Sequence, residues 1–189
     1  LTFAAGTYNT TPYTISTPDK VEAKGLPFEE TFASGLGEFT KEEQLPEGLT
    51  YVWSHDATHK YAKASAYVSG TRYEQTSYLV SPVLDLTNVE NAKVQFDHTG
   101  NYFNGTETTS ANLCIREVGG DWETIEIPTY WSQNWAWVNS GDIDISKFSG
   151  KLIQVGFRYS STTTNAGTWE IKNLKVSEGA LATEINVAD

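Results

Sequence analysis

The sequence predicts an all-β domain, a sandwich of two antiparallel sheets, and three observations lead there. Aromatic residues make up 13% of the chain, and Tyr, Thr, Val, Trp and Phe are the types that suit pleated, half-buried surfaces. From Phe28 onward, short stretches of alternating apolar and polar residues are separated by turn-forming residues, the spacing of sandwich strands. Helical periodicity is scarce. Only residues 40–45 and 144–148 read as single helical turns.

The elements follow in order. Residues 1–25 carry Gly6, Pro12 and Pro18 among many threonines, with weak periodicity. They read as a linker or the remnant of a preceding segment, pairing at most one strand through Tyr13, Thr14 and Ile15. Strands are expected at 61–68, 77–84, 94–98, 112–117, 122–127, 152–159 and 169–176. In 152–159 Ile153, Val155, Phe157 and Tyr159 share one face, while Gln154 and Arg158 take the other. In 169–176 the apolar set changes phase, from Trp169 and Ile171 to Leu174 and Val176. A β-bulge near Asn173 accounts for the slip. The sandwich is expected over 26–178, with 179–189 as a C-terminal tail.

Charge and composition exclude several functions. The net charge of −11 repels phosphate backbones and anionic membranes, so nucleic acid is not expected as a partner. No apolar run reaches the roughly 18 residues of a membrane span. Cys114, the sole cysteine, lies between Leu113 and Ile115 and reads as a buried small hydrophobe. The sequence contains no methionine, and the expected context is a secreted or cell-surface chain whose signal segment has been removed. A monomer is expected.

Catalytic motifs are scarce. His55-Asp56-Ala57-Thr58-His59 has the spacing of a helical zinc motif, but its flanks read as strands, so it is expected to be a polar turn. His98 alternates with Asp97 in a strand pattern and reads as a hydrogen-bonded wall residue. There is no nucleophile elbow and no phosphate loop, and no enzyme is expected.

Binding chemistry is better represented. Residues 130–137 place Tyr130, Trp131, Trp135 and Trp137 beside Gln133 and Asn134 after Pro128, with no charge. Flat rings stack on the C–H faces of sugars and amides read hydroxyls. Tyr130 and Trp131 are the expected stacking platforms, with Gln133 and Asn134 as hydroxyl readers. The competing arrangement folds Trp131 back against the sandwich. At least one of Trp135 and Trp137 is expected in the core. Tyr102, Phe103 and Asn104 form a second polar-aromatic loop of the same kind.

Four segments in order carry a resemblance: L-P-F-E-E-T-F at 26–32, L-V-S-P-V-L-D-L at 79–86, G-D-I-D-I-S-K-F-S-G-K at 141–151 running into I-Q-V-G-F-R-Y-S at 153–160, and G-T-W-E-I-K-N-L-K-V at 167–176. Together they resemble the choice-of-anchor J or cleaved-adhesin type domain of Bacteroidetes surface proteins. The resemblance implies a jelly roll, similar to galactose-binding-like and MAM domains. It further implies a noncatalytic module that binds a glycan or glycoprotein. The alternative is a spacer domain of a larger surface lipoprotein, and the third is a hydrolase accessory domain. It also implies a structural calcium near the first strand, with Glu29 or Glu30 as ligand. The acidic position of the last strand is Lys172 here, and a cation opposes Ca²⁺. A metal-independent fold is therefore expected, with Lys172 free to pair with a glutamate.

Overall fold

A computed structural model describes residues 22–179. Fifteen strands are numbered along the chain: β1 (Phe28–Glu30), β2 (Thr40–Glu42), β3 (Trp53–Asp56), β4 (Tyr61–Ser65), β5 (Tyr67–Val68), β6 (Thr71–Arg72), β7 (Gln75–Val80), β8 (Leu84–Asp85), β9 (Ala92–Asn101), β10 (Ala111–Glu117), β11 (Glu123–Ile125), β12 (Val138–Asn139), β13 (Ile143–Asp144), β14 (Leu152–Ser161) and β15 (Thr168–Glu178). A short helix at Glu107–Ser110 and a 3₁₀ turn at Ser146–Phe148 complete the described elements.

The strands form two antiparallel sheets and a small hairpin. One sheet runs β12-β9-β15-β4-β3, with β1 on the far part of β15 and β13 on β9. The other runs β11-β10-β14-β7-β2, with β8 on β14. The hairpin is β5-β6. The inner faces carry the core, which includes Trp53, Phe96, Trp169, Leu79, Phe157 and Tyr159.

Size alternation shapes this core. Trp53 and Trp169 lie on either side of Ala64 in the sheet register. Their rings approach to 5.8 Å over that small residue. Phe157 of the opposite sheet meets Trp169 edge-on at 5.7 Å. Such facing of large against small side chains reaches interior density without strained rotamers.

The bulge predicted in the last strand is present. The β15–β9 register shifts between Lys172 and Lys175. Asn173 sits at φ 53°, and its amide donates to Asp97 Oδ2 at 2.8 Å. Asn is among the residues that tolerate the left-handed region.

Two expectations are corrected. Residues 40–45 do not form a helical turn, because Thr40–Glu42 pairs with the free edge of β7, whose backbone groups need partners. The domain also begins before residue 26. Lys24 donates its N–H to Val83 O and accepts from Asp85 N, both at 2.8 Å. The suggested strand at Tyr13–Ile15 and the tail beyond Gly179 lie outside the described residues.

Candidate functional site

The outer face of the β9-β15-β4-β3 sheet carries the site. In β15, Trp169 and Ile171 point inward, so Thr168 and Glu170 point outward. Glu170 lies opposite Lys63 of β4, which lies opposite Ser54 of β3. Thr168 lies opposite Ser65, and its hydroxyl is 3.4 Å from the Ser65 hydroxyl. Register alone thus assembles a polar floor.

Aromatic side chains rise around this floor. Tyr67 comes from the β5-β6 hairpin and Tyr51 from the segment before β3. Tyr102 and Trp135 come from the loops after β9 and before β12. They are 50%, 52%, 62% and 42% exposed respectively. Tyr102 and Trp135 meet edge-on at 6.0 Å. The enclosed groove has two adjoining parts, of about 360 and 370 Å³, which share Tyr67, Tyr102 and Thr168. Each lies in the size range of small-molecule sites, roughly 300–1,000 Å³. Seven large hydrophobic residues are exposed among the described residues, and five of them line this groove: Tyr51, Tyr67, Val68, Tyr102 and Trp135. Such clustering marks a surface built for contact.

The rim is held in a strained backbone. Tyr102 and Trp135 have φ of 65° and 63°, while Asn104, at 54°, is of a type that tolerates this region. Left-handed backbone costs about 1–2 kcal/mol for a residue with a side chain, and such strain concentrates at functional sites. Trp135 N–H donates to Gly100 O at 3.1 Å, which fixes its loop to β9. The Tyr102 loop is tied by Asn165, whose amide donates to Phe103 O at 2.6 Å and to Thr106 Oγ1 at 3.1 Å.

Glu170 is the single carboxylate lining the groove, and it is only 7% exposed. Burial raises its carboxyl above the usual carboxylate range, partly offset by the Tyr61 hydroxyl and Lys63. Desolvation and Glu170 together push the Tyr61 hydroxyl up. Beside the floor, Tyr61 packs on Trp137 at 5.6 Å, and the Lys172 ammonium sits 4.0 Å from the Trp137 ring centroid. A cation so close to an indole face is attracted by its quadrupole.

The structure divides the sequence-derived site residues. Tyr102 and Asn104 line the groove. Gln133 and Asn134 are exposed on the loop leading to Trp135. Trp131 is corrected: at 7% exposure it is a core residue, packed on Phe103 at 5.6 Å and His98 at 5.2 Å. Its ring fits because Gly100 has no side chain, since a Cβ there would stand 2.5 Å from Trp131 Cζ2. Tyr130 is corrected likewise. It is packed against the core, its hydroxyl donates to Ala111 O at 2.8 Å, and burial pushes that hydroxyl up to about 12. Phe103 is buried too. Neither Trp135 nor Trp137 is core, because the chain turns at Trp135 instead of continuing as a strand. Sequence reasoning missed Tyr51, Tyr67 and Glu170, which only the sheet register brings together.

The remaining polar candidates have structural partners. His55 Nε2 bonds Phe32 O at 2.9 Å, and His59 Nδ1 lies 3.1 Å from Asp56 Oδ1, on a turn. His98 is buried, with Nε2 on Thr129 O at 2.8 Å and Nδ1 accepting from Trp169 Nε1 at 3.3 Å. Cys114 is buried, which pushes its thiol up. Glu29 pairs with Lys175 at 2.9 Å, and Glu30 Oε1 accepts from Phe32 N at 2.7 Å. Lys175, not Lys172, is therefore the lysine that pairs with a glutamate here. No group of three or more His, Cys, Asp or Glu able to hold a metal occurs among the described residues. Near the first strand, Glu29 thus faces the Lys175 ammonium, and the acidic position of the last strand is Lys172; a cation at either place opposes Ca²⁺.

Comparison with known folds follows this geometry. No protein-family model and no curated protein matches the chain. Among solved structures, the K1 cleaved adhesin domain of Lys-gingipain from Porphyromonas gingivalis superposes with a TM-score of 0.56 at 16% identity, over 82% of this chain and 100% of that one. The fold is that of the cleaved adhesin domains. The K3 domain of the same protein gives 0.52 at 11% identity, over 80% and 98% of the two chains. The K2 domain gives 0.51 at 16%, over 82% and 99%. In this chain the groove described above lies on the outer face of one of the two sheets.

Proposed function

We propose that this domain is a noncatalytic, secreted or cell-surface binding module that holds a glycan or the glycan of a glycoprotein in the groove over Glu170. One observation carries the reading: four exposed aromatic rings surround a floor of Ser54, Lys63, Ser65, Thr168 and Glu170. Sugar rings offer C–H faces to aromatic side chains and hydroxyls to polar ones. The Glu170 carboxylate, already engaged by the Tyr61 hydroxyl, is an acceptor for a sugar hydroxyl, while Lys63 and the Ser and Thr hydroxyls donate. Two connected compartments suit adjoining sugar units. The strained rim argues for a preformed site, which lowers the ordering cost of binding.

Hydrolysis is disfavoured by the same chemistry. Glycoside hydrolysis generally uses two carboxyl groups flanking the bond, and this groove is lined by one. Asp56 of β3 is engaged elsewhere, accepting from Thr58 N at 3.1 Å and His59 N at 2.9 Å. No helix among the described residues is long and apolar enough to cross a membrane.

The test is titration calorimetry of the wild type and of Trp135→Ala and Tyr102→Ala against soluble neutral oligosaccharides and mucin glycopeptides. Binding should weaken at least tenfold in each variant, with thermal unfolding within the small change of a surface substitution, about 0.5 kcal/mol. Variants that bind as the wild type does, or a wild type that binds nothing, would leave the domain a spacer.

A further inference from the structure

The two ends of the groove differ in charge. Around Glu170 the floor is mixed, but the adjoining compartment, lined by Tyr67, Arg72, Tyr102, Asn104, Ala166 and Thr168, contains no acid. Its cation is Arg72. The chain has three arginines. Arg116 uses its fork on Glu42 and Gln154, and Arg158 donates to Thr109 O at 3.2 Å. Arg72 makes no side-chain hydrogen bond and no ion pair among the described residues. Its guanidinium lies 5.4 Å from the centroid of the Tyr67 ring, its register partner in the hairpin. In a chain with a net charge of −11, an arginine in a cleft with no carboxylate partner stands out.

Resting on the glycan reading above, we propose that the Arg72 end of the groove is a subsite for a carboxylate-bearing sugar, so that the preferred ligand places an acidic unit beside a neutral one. The guanidinium is planar, and its parallel N–H groups match the two oxygens of a uronate or sialate carboxylate. The Tyr67 ring lies beside the guanidinium. Asn104 stands on the same compartment, and its amide N–H donates to Asn165 Oδ1 at 3.3 Å. That fixes the amide and leaves its carbonyl oxygen for a sugar hydroxyl. The neutral unit then lies over Glu170, where a second anion would meet a buried carboxylate. The order of the two units along the groove follows from this asymmetry.

The experiment compares acidic oligosaccharides with their neutral parents, 3′-sialyllactose with lactose and glucuronosyl-xylotriose with xylotriose. Wild type, Arg72→Gln and Arg72→Lys are titrated at 0.05 and 0.5 M NaCl, and thermal melts show each variant folded. For at least one pair the wild type should prefer the acidic member by about fivefold, the scale of a partly exposed charge-assisted pair. Arg72→Gln should abolish the preference, so that the acidic member binds no tighter than its neutral parent on the same variant. High salt should shrink the preference, because exposed charges are screened. Binding of neutral probes without an acidic preference would overturn this subsite alone. So would full retention of the preference in Arg72→Lys, which keeps the charge without the fork. No binding of any probe would overturn the groove reading with it.

Discussion

Acidifying the protein should destabilise it through His98. This imidazole is buried between the sheets, its Nε2–H held by Thr129 O and its Nδ1 lone pair filled by the Trp169 indole N–H. Protonation would put a hydrogen on Nδ1, pointing at another donor, in a site with little water. Burial accordingly lowers its pKa from 6.5 to about 4, with the Thr129 bond and Asp97 only partly opposing. At roughly 1.4 kcal/mol per pH unit, that displacement is worth about 3 kcal/mol. Above pH 6.5 both folded and unfolded states are neutral at this site, and the stability is complete. Below it the unfolded chain binds a proton that the native state refuses, so stability falls until the native histidine also protonates near pH 4. Asp56, Asp85 and Asp144 lose their contributions only below this window, because their carboxyls are held under 3.8. Glu170 acts in the opposite sense: its raised pKa means acid relieves a cost, so a Glu170→Gln background isolates His98. Urea unfolding at half-unit intervals from pH 7.5 to 4.5 measures the slope. A loss of about 3 kcal/mol is a large share of the 5–15 kcal/mol of an ordinary domain. A flat profile in the Glu170→Gln background, or the same slope after His98→Gln, would refute the argument.

Two further outcomes are expected. Trp131→Ala should cost roughly 3–5 kcal/mol in denaturant melts, because it empties a core site closed by Gly100 and Phe103, and a cost under 1 kcal/mol would show the ring to be a surface platform. Adding a chelator should leave the melting temperature unchanged, since Lys175 rather than a metal faces Glu29; a fall in melting temperature that added Ca²⁺ reverses would restore Glu29 and Glu30 as ligands.

The fold was legible because alternation reports facing directly. Ile153, Val155, Phe157 and Tyr159 are all fully buried, as their period-two spacing requires. The phase slip at Asn173 was legible for the same reason, since a bulge is a one-residue break in that period. Of the site, Tyr102 and Asn104 were visible as a polar-aromatic loop, whereas Tyr51, Tyr67 and Glu170 were not. Those three are separated by up to 119 positions, and only the pairing of β15 with β4 and of β4 with β3 brings their surroundings together. The tryptophans of 131–137 were assigned to the wrong sides for a definite reason. Alternation between Trp135 and Trp137 suggests a shared core face, but Trp135 is left-handed and the chain leaves the sheet there. The signal that could have placed Trp131 is Gly100, a residue without a side chain inside a strand, which often marks close approach by another group.

The positions of core and groove on one strand have a consequence for how this domain can change. In β15, Trp169 anchors the interior while its neighbours Thr168 and Glu170 floor the groove. In β4, Ala64 makes room for the two indoles while Lys63 and Ser65 face outward. Neighbours in sequence therefore act on opposite sides of a sheet and share few packing partners. Substitutions on the outer row should alter recognition with little effect on stability, and those on the inner row the reverse. Glu170 is the exception. It faces outward yet is almost fully covered, so removing its charge should change both, raising stability near neutral pH by relieving desolvation while weakening whatever hydroxyls it reads. A buried carboxylate that costs stability and sits beneath exposed aromatic rings is more readily understood as a recognition group than as part of the scaffold.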